Sequence, residues 1–181
     1  MKAVLWKIWA YAPAVLVLIL VTACSASAGD WSLYAGAGGG NCKTVTGDMS
    51  LRYTFEALYG NEALEIRPLV EGSGVYWHHD ADDDEWGGGL SGGFRMVFFR
   101  DGQWMPYVSG TFGAFLISDD EFGSHNMGGG FQFRSKGALG IQFGEAYRHS
   151  VQVDAAHFSN AGIYDENSGF NTFGVTYGFR F

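Results

Sequence analysis

The stretch FGVTYGFRF, residues 173–181, alternates apolar side chains with small or polar ones from end to end. Its apolar members are Phe173, Val175, Tyr177, Phe179 and Phe181, and glycine, threonine and arginine stand between them. Because successive side chains of a β-strand point to opposite sides of the sheet, one face of this segment is entirely apolar and the other is small or polar. The stretch therefore predicts a β-strand with one face turned away from water.

The same two-residue period recurs along the rest of the chain, and no helical period is sustained beyond residue 29. Six further segments show it clearly: 31–37, 49–56, 64–71, 87–98, 131–143 and 151–159. A seventh, 104–117, is strand-like but irregular, so its two faces are not assigned from the sequence. The pattern predicts eight strands in one domain.

Composition and charge narrow the class of protein. The chain of 181 residues has 28 glycines, 17% aromatic residues and only three prolines, which excludes disorder and a collagen-like fold. Its net charge of −8 argues against a nucleic-acid partner, which would require a basic surface.

The first 28 residues are predicted to be a secretory signal peptide, which leaves 29–181 as the folded domain. Lys2 and Lys7 precede an apolar run, and a small-residue cleavage site ends at Ala28. The stretch 21–24 also resembles a bacterial lipoprotein box, which would make Cys24 a lipidated first residue. We favour cleavage after Ala28, and the lipoprotein alternative stays open.

The sense of the alternation decides between a soluble and a membrane protein. A soluble sandwich or lipocalin would bury the apolar face, and its polar face would lie in water. The export signal, the aromatic content and a terminal aromatic run like the C-terminal signature of bacterial outer-membrane barrels favour the reverse arrangement, with apolar side chains facing lipid. The sequence thus predicts an all-β fold, an eight-stranded antiparallel transmembrane β-barrel of the outer-membrane type, with an interior filled by side chains and no solute channel.

Loop lengths predict the orientation of this barrel. Short connections near 59–61, 101–102 and 145–149 are expected on the periplasmic side together with both termini. Longer loops are expected on the outer side, at 38–48, 74–85, 118–127 and 161–169, and two of them carry acidic clusters. One cluster contains Asp80 and Asp82 after His78-His79, but it lacks the spacing of a zinc or calcium site, so we interpret it as a solvated acidic loop with no metal site.

His157 and Ser159 are the candidate catalytic pair. They fall on the same face as Val151 and Val153, which is the face predicted to meet lipid. A hydroxyl beside an imidazole is the minimal activated nucleophile, and at the outer rim the pair would lie at the depth of lipid ester bonds. Alone, a His-x-Ser pair is more often two polar residues in an interfacial girdle.

The string His157-x-Ser159-Asn160-Ala161-Gly162, with Asn167-x-Gly169 and the last strand 177–181, resembles the PagL family of outer-membrane lipid A 3-O-deacylases. The resemblance implies Ser159 as nucleophile, His157 as base, and oxyanion support from Asn160 and Gly162. It further implies a bacterial outer-membrane location, lipid A in lipopolysaccharide as substrate, other outer-membrane lipids as neighbours, and no cofactor. A homodimer is left open.

The sequence departs from the family at one position. Asn171 stands two residues after Gly169, where the family has an acidic residue. Its parity matches Phe173, so it is expected to face outward and meet His157 across two paired strands. An amide can orient a histidine base, although it does not stabilise the imidazolium as a carboxylate does. Asp165 or Glu166 in the adjoining loop are alternative acids.

Two functional hypotheses follow from these residues. The first is a serine esterase acting on lipid A with Ser159, His157 and Asn171. The second is a non-enzymatic or degenerate outer-membrane barrel with a structural or adhesion role. The enzyme requires Ser159 and His157, whereas the structural protein tolerates alanine at both.

Overall fold

The computed structural model describes residues 29–79, 84–99, 102–122 and 125–181. The predicted signal peptide, Cys24, Asp80 and Asp82 lie outside these residues. The described part contains two short 3-10 helices, Asn41–Lys43 and Glu145–Tyr147. Neither is long and apolar enough to cross a membrane.

Eight long strands form a closed antiparallel barrel, as predicted. Their bounds are β1 Gly29–Gly40, β2 Val45–Phe55, β3 Leu64–His78, β4 Glu85–Phe98, β5 Met105–Ile117, β6 Phe131–Phe143, β7 His149–Ser159 and β8 Phe170–Arg180. Each strand pairs with the next along the chain, and β1 also pairs with β8 to close the ring. Closure gives each of these eight strands a neighbour on both sides, so their backbone groups are satisfied within the barrel.

The two faces of the barrel have the predicted polarity. On β8 the side chains of Phe173 and Val175 are 64% and 56% exposed on the outside, whereas the next residue, Thr176, is fully buried inside. Charged side chains from other strands, among them Arg52 and Glu71, are buried in the interior. Apolar residues therefore cover the lipid-facing wall and polar residues fill the centre.

The irregular segment 104–117 is explained by the interior of β5. Val108, Phe112 and Leu116 point outward, but Tyr107 and Phe115 point inward and are also apolar or aromatic. Both faces of this strand are therefore largely apolar, which removes the two-residue period from the sequence.

The interior has an apolar cluster at one end of the barrel. Its members are Val75, Trp77, Phe115, Ile117, Met127, Ala156, Phe158 and Phe170. The rings of Trp77 and Phe158 lie 5.5 Å apart, and those of Phe115 and Phe158 lie 5.1 Å apart, both edge to face. We call this end of the barrel, which carries the connections 118–130 and 160–169, the rim.

Two rim loops are shorter than predicted. The expected loop 38–48 shrinks to 41–44 and the expected loop 74–85 to 79–84, because the flanking strands continue. Gly38 shows the reason: it pairs with Gly174 of β8, and a Cβ at Gly38 would overlap the Phe173 carbonyl. Glycines that the sequence suggested as a loop are positions where two backbones approach closely. Connections 118–130 and 160–169 remain long, as expected.

Candidate active site

His157 and Ser159 lie on the outer wall at the rim end of β7. His157 is exposed and Ser159 is partly exposed, while Phe158 between them is buried in the interior cluster. The alternation of the strand therefore puts the two polar side chains on the predicted face, with Cα atoms about 6.6 Å apart along the strand. Within the described residues no hydrogen bond joins the Ser159 hydroxyl to the imidazole.

Asn171 is the direct partner of His157. The two residues are opposite each other in the β7–β8 ladder, and the Nδ1 atom of His157 lies 2.8 Å from the Oδ1 atom of Asn171. An amide oxygen only accepts hydrogen bonds, so with this amide orientation Nδ1 carries the proton and Nε2 keeps its lone pair. A side chain at the predicted acid position thus orients the imidazole so that Nε2 is available as a base.

Neither alternative acid takes this place. Asp165 and Glu166 are both exposed in the connection after β7. In the described part of the chain neither carboxylate hydrogen-bonds His157. Glu166 contributes to the site through its backbone, because its carbonyl accepts a hydrogen bond from the Nδ2 atom of Asn160 at 2.6 Å.

Asn160 holds the loop that follows the predicted nucleophile. Its side chain is completely buried. The Nδ2 atom also donates to the Met127 carbonyl at 2.7 Å, and the Oδ1 atom accepts from the Gly162 amide at 2.8 Å. Its backbone N–H donates to the side-chain oxygen of Asn167 at 3.1 Å. The amides of Asn160 and Gly162, for which the resemblance implies oxyanion support, are therefore engaged with the loop in this conformation.

Gly169 packs against the imidazole, a role that sequence reasoning did not assign. Its φ is +65°, and a Cβ at this position would lie 3.1 Å from Cε1 of His157. A glycine here accommodates the left-handed backbone and leaves room for the ring. The motif Asn167-x-Gly169 was the only sequence signal of this contact.

Asp84, at the end of the predicted acidic loop, forms a small polar cluster with Tyr76 and His78 of β3 on the opposite wall of the rim. Nδ1 of His78 lies 2.6 Å from a carboxylate oxygen of Asp84, and Tyr76 donates a hydrogen bond to the same carboxylate. The hydrogen bond from Tyr76, followed by that from His78, lowers the pKa of Asp84 from its ordinary value. No group of three metal-ligating side chains occurs in the described ranges.

Comparisons with known proteins agree with this architecture. The model of the family described as Lipid A 3-O-deacylase (PagL) matches residues 45–180. The Lipid A deacylase PagL of Pseudomonas aeruginosa (strain PAO1) is 31% identical over 111 residues, which cover 56% of this chain and 62% of that protein, just under two thirds of its length.

Two solved structures show the same fold. The outer membrane enzyme PagL superposes with a TM-score of 0.74 at 19% identity, covering 82% of this chain and 98% of that one. Neisserial surface protein A gives a TM-score of 0.52 at 10% identity, covering 84% of this chain and 96% of that one.

The fold and its relatives define an eight-stranded bacterial outer-membrane barrel with polar side chains on its lipid-facing rim. Within that class, the chain belongs to the lipid A 3-O-deacylase (PagL) family.

Proposed function

We propose that this barrel hydrolyses the 3-O-acyl ester of lipid A in the outer leaflet, with Ser159 as nucleophile and His157 as base. The observation that carries the proposal is the 2.8 Å contact between His157 Nδ1 and Asn171 Oδ1, which keeps Nε2 available as a base. Ser159 lies two residues further along the same outer face. Family membership supports the reaction class.

The chemistry needs two steps and no cofactor. The Ser159 oxygen attacks the ester carbonyl while Nε2 of His157 takes the hydroxyl proton, and the same imidazolium then protonates the departing sugar oxygen. Water, activated by His157, attacks the acyl-serine and releases the fatty acid. The hydrogen bond between Ser159 and His157 forms with substrate bound, as catalytic hydrogen bonds are often long or poorly aligned in a free enzyme.

The loop after Ser159 supports the developing oxyanion. Asn160 ties residues 160–169 to Met127 of the neighbouring loop, which fixes the backbone beside the nucleophile. The amides of Asn160 and Gly162 then supply the donors once the ester oxygen replaces their present partners, Asn167 and the side chain of Asn160.

Location at the rim explains how a large lipid reaches the site. The pair lies on the lipid-facing wall near the membrane surface, so the ester approaches sideways within the leaflet and requires no pocket through the barrel. The proposed partner is therefore lipopolysaccharide in the membrane itself.

A second candidate is a barrel without catalytic activity, and Asn171 is the observation that favours it. An amide stabilises the imidazolium less than a carboxylate would, and removal of that charge is costly in serine hydrolases. In this alternative the polar rim residues form an interfacial girdle, and alanine at Ser159 changes nothing.

Mass spectrometry of lipid A from cells that express the chain separates the two candidates. We expect loss of one hydroxy-acyl chain with the unmodified protein and none with Ser159→Ala at an equal membrane level. Ser168→Ala, which removes an exposed hydroxyl from the same loop, is the matched control and is expected to behave like the parent. Unchanged lipid A with the folded parent barrel would exclude this activity.

A further inference from the structure

A groove runs along the lipid-facing wall and begins at the candidate site. Its volume is about 680 Å³, and its lining includes His157 and Asn171 at one end and Phe94 at the other. Small outward-facing residues lie between them, namely Ala155, Gly137 and Gly110. The groove therefore reaches the candidate site at His157 and Asn171, although no step described above uses it.

The strand register makes these small residues one continuous row. Ala155 of β7 is opposite Gly137 of β6, Gly137 is opposite Gly110 of β5, and Gly110 is opposite Phe94 of β4. The neighbouring row, nearer the rim, contains His157, Ser135 and Phe112. Phe112 stacks on Phe133 with ring centroids 5.5 Å apart. Aromatic rings thus form one wall of the groove and residues with little or no side chain form its floor.

The floor is open to a ligand. A Cβ built at Gly137 or at Gly110 would meet no atom within 4 Å. At many other glycines of the barrel, such as Gly38, a Cβ would overlap the backbone of a neighbouring strand. The backbone packing of the barrel therefore does not require glycine at Gly137 and Gly110, and their effect is to leave a depression in the wall.

The groove slopes away from the rim. Ala155 lies four residues from Ser159, the rim end of β7, and Gly137 lies six residues from Phe131, the rim end of β6. Phe94 lies nine residues from Glu85, the rim end of β4. A ligand that follows the floor from the catalytic pair therefore passes from the membrane surface into the hydrocarbon layer.

Polarity changes along the same path. Ser135, His157 and Asn171 provide polar atoms at the upper end, and below them the outward side chains are alanine, glycine and phenylalanine. A polar upper end followed by an apolar floor matches the polarity of an ester group followed by a single hydrocarbon chain.

We propose that this groove binds the acyl chain of the ester that is cleaved, and that Phe94 limits the length of that chain. The proposal rests on the proposed function, since the occupant is the leaving acyl group of that reaction. Lipid tails would otherwise slide over the wall without preference, whereas a floor of glycine and alanine beside an aromatic wall gives one chain a defined path.

The register gives the length. From Ser159 to Phe94 the path covers four residues along the strands, at about 3.3 Å each, and three strand spacings of about 4.8 Å, a diagonal of roughly 19 Å. An extended hydrocarbon advances roughly 1.25 Å per carbon, given bonds of about 1.5 Å. The groove therefore holds roughly fifteen carbons at most, and the ring of Phe94 closes its far end.

The test measures hydrolysis of a series of 3-O-acylated lipid A analogues with chains from about eight to about eighteen carbons, presented in mixed micelles to the full-length protein. Gly137→Phe fills the floor, so we expect the rate for the longest cleaved chain to fall about tenfold or more relative to the shortest. Phe94→Ala removes the end wall and is expected to extend cleavage to longer chains. Gly47→Phe is the matched control, because Gly47 also has open space at its Cβ position but does not line the groove.

The possible results separate this proposal from the proposed function. Opposite shifts in chain-length preference for Gly137→Phe and Phe94→Ala, with none for Gly47→Phe, support the groove. If the parent and all three variants are active and prefer the same chain length, the groove proposal is wrong, although the proposed function stands.

If the unmodified protein cleaves no analogue, the proposed function is wrong, and a binding measurement then tests the acyl groove separately. Native mass spectra of the Ser159→Ala barrel then report which chain lengths it retains. A preferred chain length that becomes shorter when Gly137→Phe is added supports an acyl groove. Retention of all chain lengths alike overturns the groove.

Discussion

At the level of single residues, we expect the amide of Asn171 to limit the rate of the proposed reaction. Its oxygen holds His157 in the tautomer needed for a base, but it carries no charge to stabilise the imidazolium. We therefore expect Asn171→Glu to raise kcat about tenfold or more with little change in KM. Steady-state hydrolysis of lipid A by the purified barrel measures this.

Asn171→Leu is the matched variant for that experiment, since it keeps a similar volume and removes the acceptor. We expect it to lower kcat about a hundredfold, because Nδ1 then loses the partner that fixes the ring. Equal rates for the parent, Asn171→Glu and Asn171→Leu would mean that residue 171 does not act through His157.

Gly169 provides a second residue-level prediction. Gly169→Ala combines a strained left-handed backbone with a Cβ against Cε1 of His157, so we expect a loss of activity of about tenfold or more while the barrel still folds. Gly144→Ala is the control, because Gly144 also has a positive φ, and a Cβ there would crowd His149 away from the site. A similar loss of activity in both variants would point to general strain and not to displacement of His157.

The sequence could predict the pairing of His157 with Asn171, but not the role of Asn160. The shared outer face follows from strand parity, since both residues are in the apolar phase of β7 and β8, and the register of the two strands makes them direct partners. The partners of Asn160 are backbone carbonyls of Met127 and Glu166 in two loops. Loop conformations have no period in the sequence, so only the structure reveals these contacts.

At the level of strands, the sequence predicted the elements better than their ends. All eight strands were expected, yet the predicted loops 38–48 and 74–85 begin at Gly38 and Gly74, where β1 and β3 continue. Glycine marks both turns and close backbone approach, and only pairing such as Gly38 with Gly174 distinguishes them. The irregular pattern of β5 has a different cause. Its inward-facing side chains near the rim are apolar as well as its outward-facing ones, so the sequence shows no alternation.

Buried charges between strands make a prediction about stability. Arg52 of β2 and Glu71 of β3 lie 2.5 Å apart with side chains 2% and 0% exposed, and Arg134 lies 3.8 Å from the same carboxylate. Glu71→Gln leaves buried guanidinium charge uncompensated, so we expect the free energy of unfolding to fall by about 3–5 kcal/mol. Urea titration of the barrel refolded in detergent, followed by tryptophan fluorescence, measures the change.

Asp30→Asn is the matched control for Glu71→Gln. Asp30 accepts hydrogen bonds from Arg67 at 3.1 Å and Arg180 at 3.0 Å, but its side chain is 33% exposed. Water screens this cluster, so we expect its loss to cost about 1 kcal/mol or less. Equal costs for the two variants would contradict the claim that burial gives the interior pair its importance.

At the level of the whole molecule, the interior and the outer wall have separate tasks. Inside, the apolar cluster at the rim and buried charged side chains such as Arg52 and Glu71 fill the barrel. Phe158 and Phe170 of this cluster support β7 and β8 from the interior side. Outside, the candidate site and the groove lie on a surface that a lipid reaches from the membrane. A filled core is what allows the outer wall of so small a barrel to present fixed side chains.

This division predicts that the barrel conducts no ions. Trp77 and Phe115 are fully buried across the rim end, and below them Arg95 stacks on Tyr107 with the guanidinium carbon 4.4 Å from the ring centroid. No continuous water path is expected through such a core, so the purified protein should give no current steps in a planar bilayer, with an open porin as the positive control. Stable unitary steps from the parent protein would mean that the interior opens, and the site would then have to be sought in the lumen as well as on the wall. A silent barrel with intact lipid A hydrolysis would place the whole function on the lipid-facing surface.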